Sequence, residues 1–317
     1  MKLLYCAKPT EEPSIREALP DWDVVCTDAK IAEVTADATV DALCVFVDSG
    51  KIDAAGMDKF PNLKLIATRS TGYDHIDLVE AHKRGIVVCN VPTYGVHTVA
   101  EFAFALLLAL SRKVPEAKER VHSATPFSQE GLTGFDLNGK TIGVVGTGSI
   151  GLHAVKIATG FGMRVLAYDV AQNEHVTNLG GQYVPLPELL AHSDVVTLHV
   201  PYLPQTHHLL NEDAFLKLKP GAYILNTARG AIIDTEALLH ALDSGVVAGA
   251  GLDVLENETE MTDSTKKLLT HPRVIVTPHV AFDTQEAIQR ILDTTKQNLE
   301  AFRMGNPINT VTPQATS

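Results

Sequence analysis

Residues 139–169 read GKTIGVVGTGSIGLHAVKIATGFGMRVLAYD, and this stretch decides the fold. The apolar run Thr141 to Val145 predicts a strand, Gly146, Gly148 and Gly151 follow in G-x-G-x-x-G spacing, and a helix then leads to a second strand ending at Asp169. Each glycine answers a separate need. Gly146 permits a tight turn, Gly148 lets the backbone approach a pyrophosphate, and Gly151 lets the helix pack closely on the sheet. The helix amino terminus around Ser149 and Ile150 is then aimed at the phosphates. Asp169 lies eighteen residues after Gly151, where a carboxylate accepts hydrogen bonds from adenine-ribose hydroxyls and repels a 2′-phosphate. Val170, Ala171 and Gln172 supply no cation, so the motif predicts an NAD site and not an NADP site.

Outward from this motif, short apolar runs alternate with helix-length amphipathic segments, the pattern of an α/β protein with parallel sheets covered by helices. Before it, strands are predicted at Leu3 to Ala7, Val24 to Thr27, Ala42 to Val47, Lys64 to Thr68 and Val87 to Cys89, with a helix over Ile76 to Arg84 stopped by Gly85. One continuous helix is expected over Val96 to Val114. Its VAEFAFALLLAL core is apolar on more than one stripe, which makes it a central core helix or, beyond that, a subunit interface. After the motif, strands are expected at Val195 to Val200, Ala222 to Asn226, Gly249 to Val254 and Arg273 to Thr277, followed by a closing helix from Thr284 to Phe302. A chain of 317 residues has the length of about two domains of ~150 residues each. The glycine motif begins about 140 residues in, so a whole α/β domain precedes the cofactor domain, unlike the arrangement of L-lactate and malate dehydrogenases.

Composition narrows the function classes. Against 26 Lys and Arg stand 38 Asp and Glu, a formal charge of −12, which argues against nucleic acid or an anionic membrane as a partner. An acidic substrate would need a locally placed cation. The amino-terminal apolar run closes at Lys8 and Pro9, too short for a secretory signal, and the stretch Phe102 to Leu110 is far short of the ~20 residues that cross a bilayer. Cys6, Cys26, Cys44 and Cys89 are far apart and unpaired by motif, so they read as reduced core residues of a cytoplasmic protein.

Seven further segments occur in order: RSTGYDHID (Arg69 to Asp77), NVPTYGVHTVAE (Asn90 to Glu101), FSQEGLTGFDLNG running into the glycine motif, LHVPYLPQTHHLLN (Leu198 to Asn211), LNTARGAIIDTEAL (Leu225 to Leu238), GLDVLENE (Gly251 to Glu258) and VTPHVAF (Val276 to Phe282). With them the chain resembles the D-isomer-specific 2-hydroxyacid dehydrogenases over nearly its whole length, and within that family the D-lactate branch. The resemblance implies two Rossmann-like doubly wound domains with an active-site cleft between them. A flavodoxin-like substrate domain would comprise 1–97 and 285–317, and an NAD-binding domain 98–284.

Arg229 stands at the end of the strand AYILNTA, where ligands bind open α/β sheets. A guanidinium there can fork onto the carboxylate and carbonyl of an α-keto acid and polarise the carbonyl for hydride attack. His279 follows the strand VIVTP and is suited to give a proton to the carbonyl oxygen. His75, His97 and His199 also fall in matched segments but lack that setting, and read as structural or cofactor-proximal. The family's DVxExE spacing selects Glu258 as the imidazole's partner and puts Asp253 near the nicotinamide end, leaving Glu256 and Glu260 as acids of a solvated loop. The resemblance further implies cofactor contacts from Val200, Pro201, Thr206, Thr227 and Ala228. It implies a carboxylate-binding loop at Ser70, Thr71 and Gly72, and Tyr94 and Phe282 beside the substrate.

Those two aromatic residues favour pyruvate, and the reaction expected is interconversion of pyruvate and D-lactate. Glu258 argues against the formate dehydrogenases, which have glutamine there. The segment TEMTDSTKKLLTHP (259–272) is shorter than in D-lactate dehydrogenases, which leaves glyoxylate, hydroxypyruvate or a branched 2-oxo acid as alternative substrates. An NAD(H)-sensing corepressor is the alternative from another class. The chemistry requires no metal, no ligand spacing suggests one, and a homodimer through the cofactor domain is expected.

Overall fold

A computed structural model describes residues 1–123, 127–258 and 261–313. The chain divides into two compact units, 1–94 with 284–317, and 95–283. In the first unit, strands β1 (Lys2–Cys6), β2 (Asp23–Thr27), β3 (Ala42–Val45), β4 (Leu65–Thr68) and β5 (Val87–Cys89) alternate with helices α1 (Glu12–Ala18), α2 (Ala54–Asp58) and α3 (Leu78–Lys83). They form a parallel sheet in the order β2-β1-β3-β4-β5, the flavodoxin-like winding.

The second unit opens with α4 (Val96–Ser111) and α5 (Val114–Arg120), then β6 (Thr141–Val145), α6 (Ser149–Gly160), β7 (Arg164–Tyr168), α7 (Glu174–Asn178), β8 (Gln182–Tyr183), α8 (Leu186–His192), β9 (Val195–Leu198), α9 (Glu212–Phe215), β10 (Ala222–Asn226), α10 (Thr235–Asp243), β11 (Val247–Leu252), α11 (Asp263–Thr270) and β12 (Val274–Val276). Its parallel sheet runs β12-β11-β10-β9-β6-β7-β8. The winding reverses between β6 and β9, which creates a switch point where the glycine loop leaves β6. The last helix, α12 (Gln285–Arg303), belongs to the first unit. There Leu299 is fully buried and the buried Asn298 amide donates to the Asn90 carbonyl at 2.8 Å.

Alternation along the strands explains why the sheets take helices on both faces. Leu4, Cys6, Leu43, Val45 and Ile66 pack into one core of the first unit, and Leu3, Tyr5, Ala42, Cys44 and Leu65 into the core on the opposite face. Residues that alternate in sequence line opposite sides of a pleated sheet, and both sides here are apolar. Cys6, Cys44 and Cys89 are buried and free, and burial pushes their thiols up, to about 11, about 12 and about 11. The fourth cysteine, Cys26, is only partly buried.

Two elements differ from expectation. The helix expected to run to Val114 stops at Ser111, because Lys113 takes a left-handed conformation (φ 51°) and Pro115 sits in the first turn of α5. The two-residue β8 at Gln182–Tyr183 makes a seventh strand in the second sheet. So short a segment carries no periodic signal. Among the described residues, no helix is long and apolar enough to cross a membrane.

Candidate active site

The glycine loop has the shape a dinucleotide needs. Gly146 adopts φ 91°, and a Cβ there would come within 2.7 Å of the His199 backbone. At Gly151 a Cβ would meet the Gly146 carbonyl oxygen at 1.9 Å, while the space beside Gly148 is open to 4 Å. Gly148 is the N-cap of α6 and offers no side chain to its first-turn amides, so this helix end is open toward an anion. At the end of β10, the Thr227 hydroxyl is buried with no hydrogen-bond partner, an orphan that a bound cofactor could satisfy. These features fit NAD.

Asp169 is pinned at the end of β7. One carboxylate oxygen accepts from the Thr147 amide at 2.6 Å and the Thr147 hydroxyl at 3.2 Å, and the other accepts from the Ala171 amide at 3.1 Å. The Thr147 hydroxyl also bonds the Tyr183 hydroxyl at 2.7 Å, and that group accepts from the Asn173 amide at 2.8 Å. Neither Thr147 nor Tyr183 stands out in the sequence, because their contact spans 36 residues. Thr206 spends its hydroxyl on its own loop, donating to the Pro201 carbonyl at 2.7 Å and accepting from the Leu203 amide at 2.8 Å. The Ala228 amide donates to the Asn226 side chain at 3.0 Å, which fixes the turn that carries Arg229.

His279 and Glu258 meet: imidazole Nδ1 lies 3.1 Å from a Glu258 carboxylate oxygen. Burial alone would push the Glu258 carboxyl up. The hydrogen bond and charge of His279, the Leu255 amide and the Arg229 charge outweigh it and hold the group below its ordinary value. His279 has φ 56°, left-handed backbone that a side chain rarely tolerates. Asp253 holds it there. This carboxylate, 1% exposed at the end of β11, accepts from the Thr277 hydroxyl at 2.6 Å, the Val280 amide at 2.9 Å and the Ala281 amide at 2.8 Å. The His279 amide donates to the Asp253 carbonyl at 2.8 Å. Asp253, expected at the nicotinamide end, thus clamps the histidine turn. Phe282 sits edge-on to His279, ring centroids 6.5 Å apart.

The loop carrying Arg229 lies on the loop carrying Glu258. A Cβ on Gly230 would fall 1.9 Å from the Leu255 carbonyl carbon and 2.3 Å from the Glu256 amide nitrogen, so only glycine allows this approach. Glu256 corrects an expectation, because it is not a solvated loop acid. It accepts from His208 at 2.9 Å. Glu260 lies outside the described residues, as does Thr259, while α11 occupies most of the short segment that follows.

In the first unit, Ser70 is buried and its hydroxyl donates to the Gly72 carbonyl at 2.6 Å, while the Thr71 hydroxyl donates to the Val91 carbonyl at 2.8 Å. Among the described residues, no acceptor takes the amides of Ser70, Thr71 or Gly72, so this loop offers N–H groups. Tyr94 is buried, with its carbonyl accepting from Arg290 at 2.8 Å. Of the remaining histidines in matched segments, His75 lies 3.4 Å from the Thr68 hydroxyl, His199 lies 3.0 Å from the Thr197 hydroxyl, and His97 contacts His153 at 3.2 Å.

A Rossmann sheet with an open helix end at its switch point defines a dinucleotide-binding protein, and comparison with known proteins extends this. Residues 104–281 match the family model described as D-isomer specific 2-hydroxyacid dehydrogenase, NAD binding domain. The chain is 41% identical over 277 residues to a D-lactate dehydrogenase of Escherichia coli, covering 84% of each protein. It is 42% identical over 268 residues to a glyoxylate reductase of Thermofilum pendens, covering 83% of this chain and 78% of that one. A crystal structure of D-lactate dehydrogenase from Aquifex aeolicus, complexed with NAD and lactic acid, superimposes with a TM-score of 0.92 at 37% identity, covering 96% of both chains. The chain belongs to the D-isomer-specific 2-hydroxyacid dehydrogenases. It is an NAD-dependent oxidoreductase of small 2-hydroxy and 2-oxo acids.

Replacing Gly230 with Ala should displace the Leu255–Glu258 turn while leaving the glycine loop intact. The expected outcome is a fall in kcat/KM of about 100-fold with NADH affinity, read by fluorescence titration, unchanged. A parallel loss of NADH affinity would show that the two loops are not separable.

Proposed function

We propose that this chain reduces pyruvate to D-lactate with NADH, and that Arg229, His279 and Glu258 carry the chemistry. The observation that carries the reading is the His279–Glu258 pair, 3.1 Å apart on a turn clamped by Asp253. The bound cofactor supplies the hydride. Because Nδ1 of His279 faces Glu258, Nε2 is the nitrogen left to deliver a proton to the carbonyl oxygen of the substrate. Arg229 binds the substrate carboxylate and draws charge onto the carbonyl oxygen. On the first unit, the amides of Ser70, Thr71 and Gly72 are the donors assigned to a carboxylate.

Asp169 receives the adenine-ribose hydroxyls, Gly146 to Gly151 the pyrophosphate, and Val200, Pro201, Thr227 and Ala228 line the rest of the cofactor site. The units 1–94 with 284–317 and 95–283 serve as substrate and cofactor domains. Tyr94 and Phe282 favour a substrate with a small methyl side chain. The similarity to a glyoxylate reductase supports a second reading, in which glyoxylate or hydroxypyruvate is preferred.

The cofactor unit leaves Leu108, Val114, Val121, Phe127 and Phe161 exposed, Phe127 at 90%. Exposed apolar side chains of this kind are covered in stable dimers, and the protein is proposed to pair through them. Sedimentation equilibrium should give twice the 34.1 kDa chain mass, and Phe161→Glu should give the monomer.

A panel of 2-oxo acids followed by NADH absorbance, with chiral analysis of product, tests the substrate. Pyruvate should give the highest kcat/KM and D-lactate the only product; a higher value for glyoxylate or hydroxypyruvate transfers the assignment to that acid. Glu258→Gln tests the dyad. The Glu258 carboxyl is held below its ordinary value, so it stays ionised, and reduction keeps its activity, to a pH below the ordinary carboxylate range. Glu258→Gln should lower kcat for reduction with NADH affinity unchanged and should flatten the acid limb of the profile. Full kcat in that variant would remove Glu258 from the dyad.

A further inference from the structure

We infer that His207, His208 and Glu256 form a divalent transition-metal site on the second unit, separate from the groups assigned to hydride transfer. Each offers one ligand atom, and these atoms all lie within 4.8 Å of one another. Donors on a tetrahedral zinc ion, bound at ~2.0–2.1 Å, stand about 3.3 Å apart, so small side-chain rotations bring the set onto one ion. Two imidazoles and a carboxylate are donors that zinc accepts, and a water would complete four-coordination. His207 is exposed while His208 and Glu256 are half-buried, which gives an ion a path in and a partly fixed floor.

The local backbone accounts for the convergence. Consecutive residues ordinarily direct their side chains apart. Here His208 takes φ 47°, and the His207 and His208 rings stack with centroids 3.9 Å apart and planes 24° from parallel. Glu256 arrives from the turn after β11, and its oxygen lies 2.9 Å from His208 Nε2.

Outer groups address each of the three donors. The Asp234 carboxylate lies 3.8 Å from Nδ1 of His208, on the side of the ring away from Glu256. A carboxylate behind a histidine is what orients and strengthens an imidazole ligand. The Thr235 hydroxyl donates to the other Glu256 oxygen at 3.4 Å, and the Tyr202 hydroxyl lies 3.4 Å from Nδ1 of His207. An ion held here would tie the 202–208 loop to the 255–258 turn, the turn that also presents Glu258 to His279. Its effect is to restrain that turn, not to touch substrate.

The test uses the untagged full chain saturated with NAD, probed with Zn2+ by calorimetry and with Co2+ by absorption spectroscopy. One ion per chain and a tetrahedral Co2+ d–d band are expected. His207→Ala, an exposed position that should not disturb folding, should abolish the band and weaken Zn2+ binding by more than tenfold. Asp234→Asn keeps the side-chain oxygen that caps α10 but removes the charge behind His208, and should weaken binding by about tenfold. His279→Ala should leave the band unchanged. Absence of saturable binding, retention of the band in His207→Ala, or its loss in His279→Ala would each overturn the proposal, the last by moving the ion to the His279–Glu258 pair.

Discussion

The carboxylate of Asp253 is the constraint on which the turn carrying His279 depends. A buried anion is costly unless its oxygens are satisfied, and here a hydroxyl and two amides from one turn satisfy them. Those same bonds compel the turn to wrap the carboxylate, and the wrapping forces His279 into left-handed backbone. The strain of that conformation, of order 1 kcal/mol or more, is offset by charge-assisted hydrogen bonds that form only when the turn is closed. The position of the imidazole therefore follows from a buried carboxylate that binds the turn's own backbone.

Electrostatics complete the arrangement. A chain with twelve more acidic than basic groups repels small acids at long range. Binding one requires local donors that outweigh the mean field, and Arg229 is the candidate on the second unit. The position of Arg229 against the 255–258 turn has a second effect, because its charge also helps keep Glu258 ionised. One cation thus acts on the Glu258 carboxylate and, in the proposed reading, on the substrate carboxylate as well. The close approach that permits this is steric in origin, since Gly230 has no Cβ to hold the loops apart.

The glycine motif, the strand alternation and the family segments were legible because each depends on local spacing. The β6–α6–β7 unit with Asp169 appears in the structure where the 139–169 pattern puts it. What escaped was set by contacts remote in sequence or by single backbone conformations. The Val96 helix ended early because Lys113 is left-handed. The clamp that Asp253 puts on the histidine turn rests on partners 24 to 28 residues away. Glu256 looks like one more acid in a charged loop, and only its meeting with His208, 48 residues distant, gives it a task.

That last pair shows how one short segment divides its charges. Within LENE, Asn257 takes φ 57°, a left-handed kink between two glutamates. In a regular strand, residues 256 and 258 would face the same side. The kink separates them, so that Glu256 goes to His208 and Glu258 to His279. Both histidines are themselves left-handed. Each acid thereby meets a different imidazole. The conformation of Asn257 is therefore as much a determinant of the Glu258–His279 geometry as either of the residues that form it.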